Sequence, residues 1–433
     1  MTRPSTALLT DHYELTMISA ARTHPQAARP CVFEVFARRL PDGRRYGVVG
    51  GTGRVLEALA DFRFTPDELS LVSGFLDPET VAWLADYRFT GDIDGYREGE
   101  LYFPGSPILT VRAPFAEAVV LETLVLSILN HDSAIASAAS RMVSAAGTRP
   151  VIEMGSRRTH ERAAVASARA AYLAGVTATS NLEAARSYGV PSAGTAAHAF
   201  TLLFTGPDGP DETGAFRAQV QRLGTGTTLL VDTYDITAGV EHAIEAAGPQ
   251  LGAVRIDSGD LGILARQVRD QLDSLGATGT KIVVSGDLDE YAIASLRAEP
   301  VDLYGVGTSL VTGSGAPTAG MVYKLVEIDG IPVAKRSSHK ESHGGAKAAA
   351  RVARPTGTVT EEVLYRLGDA EPEVAGHTVT PLQIPLVRGG EPVDDLPSLD
   401  DARDHLRRAL VTLPWEGLGL SHGEPAIPTR YAY

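Results

Sequence analysis

Between residues 150 and 306, short apolar runs alternate with longer stretches of helical character. The runs cover 150–154, 176–180, 190–194, 228–232, 253–257, 281–285 and 303–306. Polar and apolar residues do not alternate within them. That is the mark of strands buried on both faces, as in a parallel sheet. The later run ends, Asp232, Asp257, Ser285 and Val306, are about 20 to 30 residues apart, the length of a βα unit. Seven such units is one short of a regular eight. The pattern therefore predicts an α/β fold with an irregular or incomplete βα barrel.

Before the repeat, a helix is expected to begin near His12, capped by Thr10 or Asp11, with Glu14 in its first turn and Leu8, Leu15 and Met17 in the core. Residues 31–37 read as a strand. Residues 54–87 read as short helices with Pro66 and Pro78 in first turns. Residues 91–111 are strand-like, and 115–146 are helical. The glycines at 50–53 fall short of a full G-x-G-x-x-G and carry little weight as a dinucleotide site. After the repeat, 321–328 reads as a strand, Gly330 as a turn, and a helix is expected near 399–410. The expected division is 1–111 as a smaller N-terminal α/β domain, 112–319 as the barrel and 320–433 as a C-terminal segment.

Composition narrows the function. The 433 residues are 44% hydrophobic and 21% charged, as in ordinary globular proteins. No run approaches the ~18 apolar residues of a membrane span. The N-terminus lacks a charged-then-apolar signal pattern, which predicts a cytoplasmic chain. One cysteine, Cys31, excludes an internal disulfide framework. A net charge of −14 argues against nucleic acid as a partner. It leaves room for phosphorylated small molecules where positive groups gather. Four of the five lysines fall between 324 and 347, in and before a stretch over 335–347 that reads as a polar, basic, mobile loop. His339 and His343 have helical metal-site spacing, but Gly344 and Gly345 argue against a helix there.

The candidate chemistry collects just after the apolar runs. In a βα barrel these strand ends point to one rim, where sites form. Gly194-Thr195-Ala196-Ala197-His198 brings backbone N–H groups, a hydroxyl and an imidazole together where a helix begins. His198 is placed to accept a proton or a phosphoryl group; its bland alternative is a capping or packing role. Asp232, Asp235, Asp257, Asp260 and Asp287 would repel one another unless a cation or arginines sit among them. Asp235 and Asp287 also precede helices and are equally suited to capping. Gly305-Val306-Gly307-Thr308-Ser309 suits a phosphate. Arg255, inside an apolar strand, needs Asp257, Asp287 or a substrate carboxylate as its partner. No P-loop is present, and Lys281, at the start of its run, lies on the wrong rim for a Schiff base.

The segments Thr10-Asp11-His12-Tyr13, Phe33-Glu34-Val35-Phe36, Glu153-Met154-Gly155-Ser156-Arg157-Arg158, Thr179-Ser180-Asn181, Gly194 to His198, Leu230 to Asp235, Arg255 to Asp260 and Gly305 to Thr308 stand in the order found in the nicotinate phosphoribosyltransferase family, which this sequence resembles over residues 6–330. Beyond 350 the match is weak. The resemblance implies ATP-dependent condensation of nicotinate with 5-phosphoribosyl 1-pyrophosphate, giving nicotinate mononucleotide and pyrophosphate in NAD salvage. It implies a type II phosphoribosyltransferase barrel with an α/β sandwich built from both chain ends, and a homodimer with shared active sites. On that resemblance His198 is the phosphohistidine, and Asp232 and Asp257 join it in catalysis. Arg255 holds the nicotinate carboxylate, Thr195 contacts the substrate, and the partner subunit's Tyr13 stacks on the pyridine ring. Gly307 and Thr308 cradle the 5′-phosphate, Arg157 and Arg158 neutralise phosphates, and Asp257 and Asp287 hold Mg2+. A nicotinamide phosphoribosyltransferase and a non-catalytic pyridine-nucleotide-precursor binding protein are the alternatives.

Overall fold

The computed structural model describes residues 4–335 and 343–432. It divides into two compact units, residues 138–315 and residues 1–137 with 316–433.

The 138–315 unit is a mixed α/β body around one parallel sheet. Its strands are β1 (Val151–Glu153), β2 (Ala178–Thr179), β3 (Thr228–Leu230), β4 (Ala253–Ile256), β5 (Lys281–Val284) and β6 (Leu303–Val306). They pair in the order β3-β4-β5-β6-β1-β2, every pairing parallel. β3 and β2 stand at the two ends of that order, so the sheet is a parallel half-barrel. Helices such as Glu212–Leu223, Ile236–Ala247 and Leu261–Ser274 connect the strands. Ala, Val, Leu and Ile fill the sheet: Leu229, Val254, Ile256, Ile282, Val284 and Val306 are wholly buried. That burial explains the unbroken apolar runs.

Six of the seven runs form strands. The exception is 190–194, which contributes one bridge, Ser192 to Thr179, and two backbone bonds, Thr179 N–H to the Pro191 carbonyl and Ala193 N–H to the Thr179 carbonyl. Pro191 has no N–H to extend a ladder. The apolar run is real, but the expected strand before Gly194 is absent.

The second unit holds a seven-stranded sheet that includes Pro30–Ala37, Leu109–Pro114, Asp92–Tyr96, Met321–Ile328 and Gln383–Arg388. It also holds a four-stranded sheet that includes Lys347–Ala353, Val359–Arg366 and Thr429–Tyr431. Strands from both chain ends thus share one sheet. Pro66 and Pro78 open their helices as expected, and the C-terminal helix spans Leu399–Thr412.

Several expectations change here. The stretch Phe115–Ala146 is long and apolar enough to cross a membrane, contrary to the sequence reading. Its apolar window is 67% buried, so it is a core helix. Helix His12–Arg22 starts after Asp11, but the Asp11 side chain does not cap it. Glu14 is wholly buried and takes the hydroxyls of Thr10 and Thr123. Two of the clustered lysines are paired. Lys347 is buried against Glu34 at 2.8 Å, and Lys324 pairs with Glu122 at 3.5 Å. His339 and Lys340 lie outside the described residues, and His343 stacks on Tyr431 at 4.1 Å.

Candidate active site

The C-terminal ends of β3, β4 and β5 bring the predicted rim residues into one hydrogen-bonded chain. Register sets it up. Arg255 pairs with Val283 across β4 and β5. In a strand, residues two apart share a face. Asp257 therefore follows Arg255 on one face, and Ser285 follows Val283 on the same face.

Arg255 donates from Nε to Ser285 Oγ at 2.7 Å and from Nη2 to Asp257 Oδ1 at 2.9 Å. Its Nη1 reaches Thr195 Oγ1 at 3.4 Å. Of the partners left open by the sequence, Asp257 is the one Arg255 takes in the free protein. Burial pushes the Asp257 carboxyl up. The Ser285 hydroxyl and the charge and hydrogen bond of Arg255, with His198 nearby, outweigh it and hold the group below the usual aspartate range.

Asp232 continues the chain from the end of β3. Its Oδ2 accepts the Asp257 backbone N–H at 2.8 Å and the Ser258 hydroxyl at 2.7 Å. Its Oδ1 is buried without a hydrogen-bond partner. The closest base is His198, whose Nε2 lies 4.0 Å away. The other ring nitrogen, Nδ1, is 3.1 Å from Thr233 Oγ1. His198 is the first residue of helix His198–Leu203, and its side chain is 41% exposed, open to a ligand. The capping alternative fails, because no side chain caps that helix.

The remaining aspartates sort themselves. Asp235 and Asp260 cap the helices that follow them, accepting the N–H groups of Ala238 and Ile263. Asp287 is exposed and does not cap; Asp289 does, by accepting the N–H groups of Tyr291 and Ala292. Arginine and N–H donors thus relieve much of the expected carboxylate repulsion. Among the described residues no group of three His, Cys, Asp or Glu side chains is placed to hold a metal ion.

On the neighbouring strand ends, Glu153 is buried and accepts the Gly155 N–H and, at 2.5 Å, the Thr179 hydroxyl. Burial outweighs both bonds and raises its pKa. Gly155 has no room for a side chain: a Cβ there would lie 2.4 Å from the Val311 side chain and 3.0 Å from the Gly307 carbonyl oxygen. The loops after β1 and β6 therefore pack closely, with Gly307 and Thr308 half-buried and Arg157 and Arg158 exposed. Tyr13 belongs to the other unit. It is the second residue of its helix and 44% exposed, with its hydroxyl pushed up to about 12 by burial and then by Glu122 and Glu14. Ser285, Ser258 and Thr233 join the site without having been assigned roles from the sequence. The sequence places Ser285 at a run end, and the register of β4 against β5 brings it to Arg255.

The N-terminal domain model of nicotinate phosphoribosyltransferase matches residues 8–130. A nicotinate phosphoribosyltransferase of Mycobacterium tuberculosis, pncB1, is 67% identical over 98% of this chain and 94% of its own length. The chain belongs to the nicotinate phosphoribosyltransferase family. A Bacillus subtilis nicotinate phosphoribosyltransferase is 37% identical over 75% of this chain and 67% of its own. The crystal structure of human nicotinic acid phosphoribosyltransferase superposes with a TM-score of 0.84 at 26% identity, covering 98% of this chain and 97% of that one. The sequence resemblance over 6–330 therefore extends through nearly the whole chain.

Proposed function

We propose that this protein condenses nicotinate with 5-phosphoribosyl 1-pyrophosphate to nicotinate mononucleotide and pyrophosphate, coupled to ATP hydrolysis through a phosphohistidine at His198. The observation that carries the reading is the hydrogen-bonded chain from Thr195 through Arg255 and Asp257 to Asp232, with His198 Nε2 4.0 Å from the unpartnered oxygen of Asp232. It joins a carboxylate-binding fork to a nucleophilic imidazole on one strand-end rim. The open parallel sheet corresponds to the incomplete barrel of type II phosphoribosyltransferases. The sheets drawing on both chain ends correspond to the sandwich domain.

In this reading Arg255 and Thr195 receive the nicotinate carboxylate, and Tyr13 stacks on the pyridine ring across a homodimer with shared sites. Gly307 and Thr308 receive the 5′-phosphate, and Arg157 and Arg158 offset phosphate charge. As pyrophosphate departs, the ribose carbon gains positive charge, which the Asp257 and Asp232 carboxylates stabilise. An Nε2–H on His198 directed at Asp232 Oδ1 would leave the lone pair on Nδ1, beside Thr233. ATP phosphorylation of His198 adds negative charge to the rim and so links nucleotide hydrolysis to binding. Mg2+ usually binds one or two carboxylates together with substrate phosphates, and Asp257 with Asp287 fits that donor set. When bound, it would neutralise charge on the pyrophosphate leaving group.

The test is turnover of nicotinate and 5-phosphoribosyl 1-pyrophosphate with and without ATP, with γ-labelled ATP followed in parallel in the parent and His198→Ala. Nicotinate mononucleotide formation and an acid-labile label lost in His198→Ala are expected. Label retained in the mutant removes His198 from the mechanism. Turnover of nicotinamide in place of nicotinate would reassign the substrate, and binding without turnover would mark a non-catalytic protein.

A further inference from the structure

Ser285, unused in the steps above, stands between the two charged groups of the rim. Its hydroxyl accepts from Arg255 Nε at 2.7 Å and donates to Asp257 Oδ1 at 2.5 Å. The same Oδ1 also takes Arg255 Nη2 at 2.9 Å. Ser285 is 3% exposed, so water does not compete for either bond. A Cβ on Gly305 would lie 3.0 Å from the Ser285 Cβ, so the β6 backbone limits movement of the serine on that side.

A guanidinium offers a planar carboxylate two useful edges, Nε with one Nη or the two Nη groups together. Here Ser285 and Asp257 occupy the inner edge, Nε and Nη2. The outer edge is held only by the long contact of Nη1 to Thr195. Asp257 Oδ1 serves both Ser285 and Arg255. Removing the hydroxyl frees Nε, so that the single bond of Nη2 to Asp257 is the main anchor left to the guanidinium, which can turn about it and carry its outer edge out of line.

We infer that Ser285 is a positioning residue that keeps the outer edge of Arg255 presented to the carboxylate of the pyridine substrate, and thereby sets the preference for carboxylate over carboxamide. The inference rests on the reaction proposed above. The outer edge presents N–H donors. A carboxylate accepts two of them, whereas the NH2 of a carboxamide meets a donor and leaves one pair unmade. A site built around donors discriminates strongly against a ligand that cannot accept from them.

The experiment is steady-state kinetics of the full chain with nicotinate and with nicotinamide, comparing the parent, Ser285→Ala and Ser285→Cys, with melting temperatures measured alongside. Cysteine fills the serine volume but hydrogen-bonds poorly, so it separates packing from hydrogen bonding. Both variants are expected to raise KM for nicotinate roughly tenfold, as loss of a hydrogen bond to a charged group implies. Their kcat and their KM for 5-phosphoribosyl 1-pyrophosphate should stay within about threefold of the parent, since the lost interaction serves binding of the pyridine. The nicotinate-to-nicotinamide preference should narrow in both. A cysteine variant with the parent's nicotinate KM overturns the inference, as does an alanine variant whose kcat falls equally with both pyridines. A parent that does not turn over nicotinate defeats the proposed reaction; an active parent with indifferent Ser285 variants defeats only the role of Ser285.

Discussion

Two clusters of charge in this protein are built from similar residues and finished differently. In the 1–137 and 316–433 unit, Arg351 lies buried between Glu100 and Glu362. All four carboxylate oxygens there have donors. Tyr96 and Ser106 serve one oxygen of Glu362 and Arg351 the other, while Leu101 N–H, Arg351 and His405 serve Glu100. At the β3–β5 rim, Asp232 keeps one buried oxygen without a donor, His198 is open, and one edge of Arg255 is barely held. The first cluster gives every carboxylate oxygen a donor, leaves only Arg351 Nε buried without a partner, and serves the fold. The second is left incomplete, and the missing partners are those a ligand would supply. Burial of charge alone does not separate the two, because each holds buried charge; the state of the carboxylates does, satisfied in the first and open at Asp232 in the second.

The contrast breaks most sharply in the closed cluster. Glu362→Ala leaves buried Arg351 with only the longer contact to Glu100 and should cost about 3–5 kcal/mol of stability, read from denaturant unfolding. An unfolding midpoint equal to the parent's would show that the cluster does not hold the fold. At the open rim, Asp232→Asn keeps an acceptor for Asp257 N–H and Ser258 but turns an amide donor toward His198 Nε2. Phosphohistidine yield should fall roughly tenfold, the effect of one misdirected hydrogen bond at a general base or nucleophile, while stability stays within about 1 kcal/mol. A stability loss as large as that of Glu362→Ala would erase the distinction between the clusters.

The smallest effect is in pH. The folded-state pKa of Asp257 is depressed, so its contribution to stability is present above the ordinary aspartate value and is lost as pH falls through the depressed one. The melting-temperature gap between the parent and Asp257→Asn should hold constant at neutral pH and shrink below about pH 4. A gap that persists unchanged below that range would mean that the ionised carboxylate is not what Arg255 and Ser285 stabilise.

Much of this was readable from the residues. Unbroken apolar runs announce strands buried on both faces, because such strands have no wet side to mark with polar residues. Six of the seven runs became the parallel sheet, and 190–194 failed where Pro191 removes a ladder donor. Polar residues after the runs fell on one rim, since parallel strands all point the same way. The N-terminal proline helices and the strand Met321–Ile328 also followed from local chemistry.

Other features depend on distances between segments remote in the chain, and local pattern carries no record of those. The sequence set five aspartates on the rim and marked only Asp235 and Asp287 as suited to capping. The fold made Asp235 and Asp260 caps, Asp257 the partner of Arg255, and Asp232 the carboxylate with an empty oxygen. Four lysines clustered in sequence, but in the fold Lys347 meets Glu34 on a strand of the other sheet and Lys324 meets Glu122 at the start of a helix. The sequence by itself determined the strand–helix repeat and the shared rim, which rest on periodicity and local order, and its motifs in their order resemble those of the family. Tertiary structure alone decided which donors meet which acceptors. Ser285 lies 30 residues from Arg255 in the chain, and only strand register brings it to Nε.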